Sequence, residues 1–318
     1  MLYSETTSLI SFKYSILNNI VKKLKLISLS VANKFIVLNN ISAETLCNEI
    51  TIIPEKVKKI SIHRPHHMRP KNNIEFGHYL AGLIDGDGHF SSKQQLVIVF
   101  NVKDISLAYY IKQELEYGSI RKVKNKKAVI LVIEKKKGIE KVIMLINKKI
   151  RTENKFNQIN KNILSHSKYL EFNKTLDFEL NLNNDLNNHW LAGFSDADAS
   201  FQIKMLDRNN KIVEVRLNYQ IDQKKQEILL LIKTFLGGNI SYRKSQDTYY
   251  YGSTNFGSAK KVISYFDKFH MLSTKYINYL KWRKVYILIQ YKEHLNSKGI
   301  DKIRKIKKSM NKCDDIVI

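Results

Sequence analysis

Cysteine is nearly missing from this 318-residue chain, and the only two, Cys47 and Cys313, lie far apart near its ends. That excludes a disulfide framework and a Cys-based zinc site. Proline occurs three times, and two of the three fall in His63-Arg-Pro-His-His67 and Arg69-Pro70. This stretch reads as a solvated basic linker, because its histidines have no Cys or acidic partner nearby to complete a metal site. No apolar run approaches the ~20 residues of a transmembrane helix, since lysines interrupt each candidate; a membrane is not an expected partner. Acidic residues are scarce too: 29 Asp+Glu stand against 54 Lys+Arg, a net charge of +25. A surplus of that size calls for a polyanion, held through salt-dependent phosphate contacts. Most of the positive charge is lysine, and Ile and Asn are abundant. This is the footprint of an AT-rich genome and points to a mitochondrion, with a plastid as the alternative.

What the chain does have is a duplicated stretch. His78-Tyr-Leu-Ala-Gly-Leu-Ile-Asp-Gly-Asp-Gly-His-Phe90 returns as His189-Trp-Leu-Ala-Gly-Phe-Ser-Asp-Ala-Asp-Ala-Ser-Phe201, with seven of 13 positions identical and an aromatic exchanged for an aromatic at Tyr79 and Trp190. Two copies 111 residues apart imply a duplicated domain rather than a solenoid. If Phe76 to Asp85 is helical, Gly82 and Gly86 share a face, as do Gly193 and Ala197. Small residues at that spacing let two helices approach closely. Glycine within a helix costs roughly 1 kcal/mol against alanine, so a packing reason is expected. The two copies are therefore expected to pack helix on helix. Asp87 and Asp198 then arrive side by side at one end of the interface, facing the negative ends of two helix dipoles. A divalent cation is the expected compensation, and paired carboxylates suit Mg2+ and displacement at phosphate.

Leu80 to Gly88 reads LAGLIDGDG and Leu191 to Ala199 reads LAGFSDADA. Over roughly Asn73 to Gln290 the chain resembles the LAGLIDADG homing endonucleases in their single-chain, two-motif form. The resemblance implies an α+β fold of two pseudo-symmetric αββαββα repeats whose antiparallel sheets form a DNA-binding saddle. It further implies a monomer that cuts long double-stranded DNA sites and promotes intron mobility, with Asp87 and Asp198 catalytic. The metal set it implies is Asp87 and Asp198 with the preceding Gly86 and Ala197. It offers Gln223, at the end of a strand, as a polar helper, with Asp104 as the nearest equivalent in the first copy. Lys275 and Lys155 are its basic candidates. Ala199, standing where the motif ends in glycine, is expected to shift the second helix end slightly.

The rest of the chain divides accordingly into an N-terminal extension and linker (1–72), a first repeat (73–180), a second repeat (181–296) and a basic tail (297–318). In the first repeat, Leu96, Ile98, Phe100 and Val102 alternate with Gln95, Val97, Val99, Asn101 and Lys103, a half-buried strand. Ile105 to Tyr117 has helical spacing up to Gly118, Ile120 to Lys135 reads as a basic hairpin turning near Asn125, and Gly138 to Ile150 as a helix. In the second repeat, Phe201, Ile203 and Met205 alternate with Gln202 and Lys204. Val213, Val215, Leu217, Tyr219 and Ile221 alternate with Glu214, Arg216, Asn218, Gln220 and Asp222. A sheet face rich in Gln, Asn, Arg and Lys suits the reading of base edges. The DNA-contact candidates are Gln95, Asn101, Lys103, Gln202, Lys204, Arg216, Asn218 and Gln220. Lys225 to Leu236 reads as a helix ending at Gly237-Gly238, Ser241 to Tyr251 as a hairpin, and Tyr276 to Tyr291 as an aromatic core helix. Ser8 to Leu38 suits one or two amphipathic helices. The alternative function is an RNA-binding maturase acting on its own group I intron RNA. A DNA-binding module without catalysis is disfavoured, because both aspartates are present.

Overall fold

The computed structural model describes residues 59–208 and 212–310; the expected Ser8–Leu38 helices lie outside them. In chain order the first repeat contains α1 (Asn73–Asp87), β1 (Gly88–Phe90), β2 (Leu96–Asn101), α2 (Ile105–Leu115), β3 (Ser119–Lys122), β4 (Ala128–Ile133), α3 (Lys136–Ile146) and α4 (Glu153–Ile159). A short α5 (Leu170–Lys174) follows. The second repeat contains α6 (Trp190–Asp198), β5 (Ala199–Arg208), β6 (Ile212–Gln223), α7 (Glu227–Leu236), β7 (Asn239–Arg243), β8 (Thr248–Gly252), α8 (Phe256–Phe266) and α9 (Lys275–Gln290). A final helix, α10, spans Ser297–Ser309.

The two sheets are antiparallel and share one strand order, β1-β2-β4-β3 and β5-β6-β8-β7, so the duplication extends from the motif to the whole repeat. Each sheet is apolar on its inner face. Leu96, Ile98, Phe100, Val129, Leu131 and Ile133 are buried in the first, and Ile203, Leu217, Tyr219, Ile221 and Tyr251 in the second. Helices cover those faces, as an amphipathic sheet requires. Each repeat also runs beyond the expected αββαββα, the first by α4 and the short α5 and the second by α9. α3 and α8 close that pattern, and α4 and α9 add an eighth element that returns to the motif helix. The first-copy helix read to Ile150 stops at Ile146, and its true counterpart, Phe256–Phe266, has no equivalent in the reading of the second copy.

α1 begins where Asn72 Oδ1 accepts from the backbone N–H of Ile74 at 3.0 Å and Glu75 at 2.9 Å, an N-cap that satisfies two orphan donors. Phe76, Gly77 and Tyr79 through Asp85 are all buried. A helix apolar on every side belongs in a core, and α1 packs against α6, which is equally buried. At the C-terminus of α2 the left-handed residue is Glu116 (φ 63°), two residues before Gly118 (φ 119°).

Two segments differ from the sequence expectation. The stretch expected to be a solvated linker is strapped to the second repeat: Ile60 N–H donates to Gln290 Oε1 at 2.8 Å and its carbonyl accepts from Gln290 Nε2 at 3.0 Å. His67 bonds the Met271 carbonyl at 2.9 Å and stacks on His270. Arg283, nearly fully buried, donates to the carbonyls of Ser61 and His63 and forks onto Asp267. The basic tail is a helix over its described part, burying Gly299, Ile300 and Ile303. Its apolar positions at three-residue spacing were hidden among lysines.

Candidate active site

Glycine decides how close α1 and α6 come. A Cβ on Gly82 would lie 1.9 Å from the Trp190 carbonyl oxygen, and one on Gly193 would lie 2.0 Å from the Tyr79 carbonyl oxygen. One on Gly86 would lie 2.3 Å from Ala197 Cβ and 3.1 Å from Asp198 Oδ2. The four small residues read as an interface are therefore the ones at the crossing.

The first aspartate of each motif fastens the crossing. Buried Asp85 accepts from Trp190 Nε1 on the other helix at 2.8 Å, and from Arg151 N, Thr152 N and Thr152 Oγ1 in the loop before α4. Buried Asp196 accepts from Tyr79 OH on the other helix at 2.6 Å, and from Leu272 N, Ser273 N and Ser273 Oγ before α9. Burial raises Asp85 to about 6, opposed by these four bonds. All four partners are donors, so the carboxylate is ionised at neutral pH. The reciprocal aromatic–aspartate pairs were not assigned from sequence. Their one signal was the aromatic-for-aromatic exchange at Tyr79 and Trp190.

The second aspartates, Asp87 and Asp198, emerge at the adjacent helix ends. Burial raises the Asp87 carboxyl, and Lys275 and Lys155 oppose that. Burial and then the negative charge of Asp87 raise Asp198 to about 6, while Gln223, Lys275 and Lys155 hold it down. Gln223 Nε2 donates to Asp198 Oδ2 at 2.6 Å. The expected shift from Ala199 is not there. Gly88 has φ −71°, ψ 148° and Ala199 has φ −89°, ψ 156°, a conformation open to any residue. A Cβ on Gly88 would meet Ile84 Cγ2 at 2.9 Å; the position equivalent to Ile84 is Ser195, which has no Cγ2 methyl.

The helpers are less symmetric than the aspartates. Gly88 pairs with Ile98, and Ala199 with Ile221, so the position equivalent to Gln223 is Phe100, a core residue. Asp104 lies beyond the strand, and its Oδ1 accepts from the Thr274 N–H at 2.7 Å, tying it to the loop that leads into Lys275. Lys275 Nζ donates to the carbonyl of Ala197 at 2.5 Å and of Ser195 at 3.3 Å. Lys155 Nζ donates to the carbonyl of Gly88 at 2.5 Å. Counted from the hydroxyl that bonds the buried aspartate, Lys275 is two residues on from Ser273 and Lys155 three on from Thr152. The two ammonium groups therefore settle on inequivalent carbonyls, Lys275 within the last turn of α6 and Lys155 just past the end of α1. Burial lowers both lysines, and Asp87 and Asp198 raise both.

No cluster of three or more His, Cys, Asp or Glu side chains suited to a metal occurs among the described residues. Two adjacent carboxylates with the remaining positions open suit a hard cation that keeps water and takes phosphate oxygens. The paired acidic groups, whose like charges already disfavour joint ionisation, fit such an ion. Of the two backbone positions expected beside it, Ala197 already gives its carbonyl to Lys275.

On the second sheet's outer face, Gln202, Asn218 and Gln220 form a polar ladder: Asn218 Nδ2 donates to Gln220 Oε1 at 3.1 Å, and Gln220 Nε2 to Asp222 Oδ2 at 2.9 Å. Asn218 and Gln220, expected as DNA contacts, are buried beneath their neighbours, and of this row only Gln202 is part-exposed. Lys204 and Arg216 are cross-strand neighbours on the same face. In the first repeat, Gln95 precedes β2 and donates to Glu134 at 3.1 Å, Asn101 closes β2, and Lys103 lies in a 3-10 turn rather than on the strand. Val102 enters that turn and is exposed instead of continuing the inner face.

The family model described as LAGLIDADG endonuclease matches residues 80–166 and 191–286, more than half of the chain. The chain belongs to the LAGLIDADG endonuclease family. It is 60% identical over 316 residues, 96% of this chain and 95% of the other, to a Schizosaccharomyces pombe protein named "Uncharacterized cox1 intron-2 37.2 kDa protein". It is 28% identical to the Saccharomyces cerevisiae "Intron-encoded DNA endonuclease aI3" over 69% of this chain and 65% of that protein. Among solved structures, I-SmaMI bound to an uncleaved DNA target in the presence of calcium ions aligns with a TM-score of 0.58 at 24% identity, covering 74% of this chain and 98% of that one. Identity at that level shows a shared fold, the two-repeat architecture of this LAGLIDADG chain.

Proposed function

We propose that this chain is a site-specific endonuclease that cuts both strands of a DNA duplex by Mg2+-dependent phosphodiester hydrolysis, and that it acts on an intron-less copy of its host gene in the mitochondrion. The juxtaposition of Asp87 and Asp198 at the paired ends of α1 and α6 carries the reading. Asp87 and Asp198 would hold the divalent ion, which supplies charge neutralisation at the scissile phosphate and a more acidic bound water. Pseudo-symmetry assigns one aspartate to each DNA strand.

The chain's own groups do the rest. Asp85 and Asp196 fix the helix ends, so the second aspartates need no reorganisation during reaction. Gln223 holds one oxygen of Asp198 and keeps that carboxylate in its ionised form. Lys275 and Lys155, desolvated beside the aspartates, place positive charge where the pentacovalent phosphate gathers negative charge. On the second sheet Gln202, Lys204 and Arg216 offer amide, ammonium and guanidinium groups to base edges, and the buried Asn218 and Gln220 brace Gln202 from below. The names of related intron-encoded endonucleases, and the cox1 intron-2 name of the 60% identical relative, support a cox1 exon junction as the target.

The test is substitution of one aspartate at a time. Asp87→Asn and Asp198→Asn should each abolish double-strand cleavage while DNA binding stays within about 1 kcal/mol of the unsubstituted chain. Loss of binding in step with cleavage would show that these residues hold the fold and do not perform the chemistry.

A further inference from the structure

The outward faces of the two sheets carry opposite chemistry at equivalent positions. In the first sheet Val97 pairs with Val132 and Val99 with Ile130, and these four side chains point away from the buried Leu96, Ile98 and Leu131. The matching rows of the second sheet pair Gln220 with Gly252 and Asp222 with Tyr250. There Gln220, Asp222 and Asn218 form the polar ladder, and Arg243 reaches Asp222 at 3.4 Å and lies over the Tyr250 ring. On the first sheet the polar pair Gln95 and Glu134 sits at one end of this face, and the rows between it and Asn101 are aliphatic. Val99 is 47% exposed at the centre of its face, a poor place for an aliphatic side chain unless something apolar covers it.

The surroundings say what covers it. Arg121 pairs with Ile130 on the neighbouring strand, and the β3–β4 turn carries Lys124, Lys126 and Lys127. An apolar centre inside a cationic rim does not suit an acidic peptide, which offers no regular apolar element between its charges. It suits a DNA major groove, where phosphates flank the thymine 5-methyl groups that aliphatic side chains contact. The face also occupies the position that the polar ladder holds in the other repeat, so it continues the same interface.

We propose that Val97, Val99, Ile130 and Val132 read a thymine-rich half-site through its methyl groups, while the second sheet reads the other half-site through hydrogen bonds. The proposal rests on the endonuclease reading for the presence of duplex DNA on both sheets, and adds that the two halves of the target are recognised by different chemistry.

The experiment is selection of binding sites from a random-sequence duplex pool by the full chain in EDTA, followed by resynthesis of the selected site with deoxyuridine for thymidine in one half at a time. Deoxyuridine lacks only the methyl group. Binding at fixed salt should weaken about fourfold for each thymine stripped of a buried methyl, in one half only, and Val97→Asn/Val99→Asn should remove that sensitivity. The unsubstituted chain tests methyl dependence without the variant, and equal melting temperatures show that the variant is folded. A discrete site that tolerates deoxyuridine in both halves, or a sensitivity that survives in the folded variant, overturns the methyl readout and leaves the endonuclease reading intact. A pool that yields no discrete duplex site overturns both.

Discussion

Replacing Gly82 by alanine adds one methyl group at the closest approach of α1 and α6. In an ordinary exposed helix this exchange gains roughly 1 kcal/mol. Here the new carbon would lie 1.9 Å from the Trp190 carbonyl oxygen and 2.8 Å from the Phe194 nitrogen. Both are backbone atoms in a buried helix, so rotamer changes cannot relieve the clash and the helices must separate. Overpacking of this kind costs about 1–3 kcal/mol, and the upper end applies where backbone meets backbone. Separation also stretches the Trp190–Asp85 and Tyr79–Asp196 hydrogen bonds across the interface, and a hydrogen bond to a charged group contributes about 1.5–3 kcal/mol. The bonds are stretched and not broken, so about 1 kcal/mol of them is lost; with about 3 kcal/mol of overpacking and the helix-propensity gain of about 1 kcal/mol set against both, the loss is about 3 kcal/mol. At about 2–4 °C per kcal/mol for a domain of this size, the melting temperature should fall by about 6–12 °C. Gly257→Ala is the control: near the start of α8 its new Cβ meets only Asn255 Oδ1, at 3.4 Å, and it should be neutral or slightly stabilising. Urea denaturation of both variants measures the difference. If Gly82→Ala is as stable as Gly257→Ala, the helices are not held at glycine-limited contact and the argument fails.

Asp198 sets a pH limit. Its folded pKa of about 6 lies above the roughly 3.9 of an unfolded aspartate, so the folded chain binds this proton more tightly, and stability from the group rises as pH falls from 6 toward 4. Without metal, Asp198→Asn should therefore be more stable than the unsubstituted chain at pH 8, by up to about 2 kcal/mol, and lose that advantage near pH 4; equal stability at both pH values would refute it. Cleavage should decline on the acid side as protons compete with the divalent ion for Asp198, and Gln223→Ala, which removes a bond to the carboxylate, should move this acid limb to higher pH; an unmoved limb would show that Gln223 does not act on Asp198. Arg283→Met should cost about 3–5 kcal/mol in urea denaturation by leaving Asp267 without its guanidinium; a smaller loss would mean that the pair and the strap at Ser61 and His63 contribute little.

The glycines and aspartates of the motif were legible because their roles are local: spacing on a helix determines which residues share a face. The sheets were legible from alternation. The aspartate locks were not, since Asp85 is completed by Thr152 and Trp190, and Asp196 by Ser273 and Tyr79, partners brought together only by tertiary folding. The same cause hid the match of Phe100 with Gln223, which depends on strand register, and the unequal reach of Lys155 and Lys275, which depends on one residue of loop length. The strap at Ile60 and His67 looked like a solvated linker because its partners, Gln290 and Met271, lie more than 200 residues away.

The central claim is that the crossed helices of this LAGLIDADG chain place two aspartates to cut both strands of one DNA site. Its most direct test is incubation of the purified chain with plasmids carrying intron-less cox1 exon junctions, with Mg2+ and with EDTA. The account predicts one discrete double-strand cut with Mg2+, none with EDTA, and none with Asp87→Asn or Asp198→Asn. Absence of any cut together with tight, salt-sensitive binding to the intron transcript would contradict it and assign the chain to RNA.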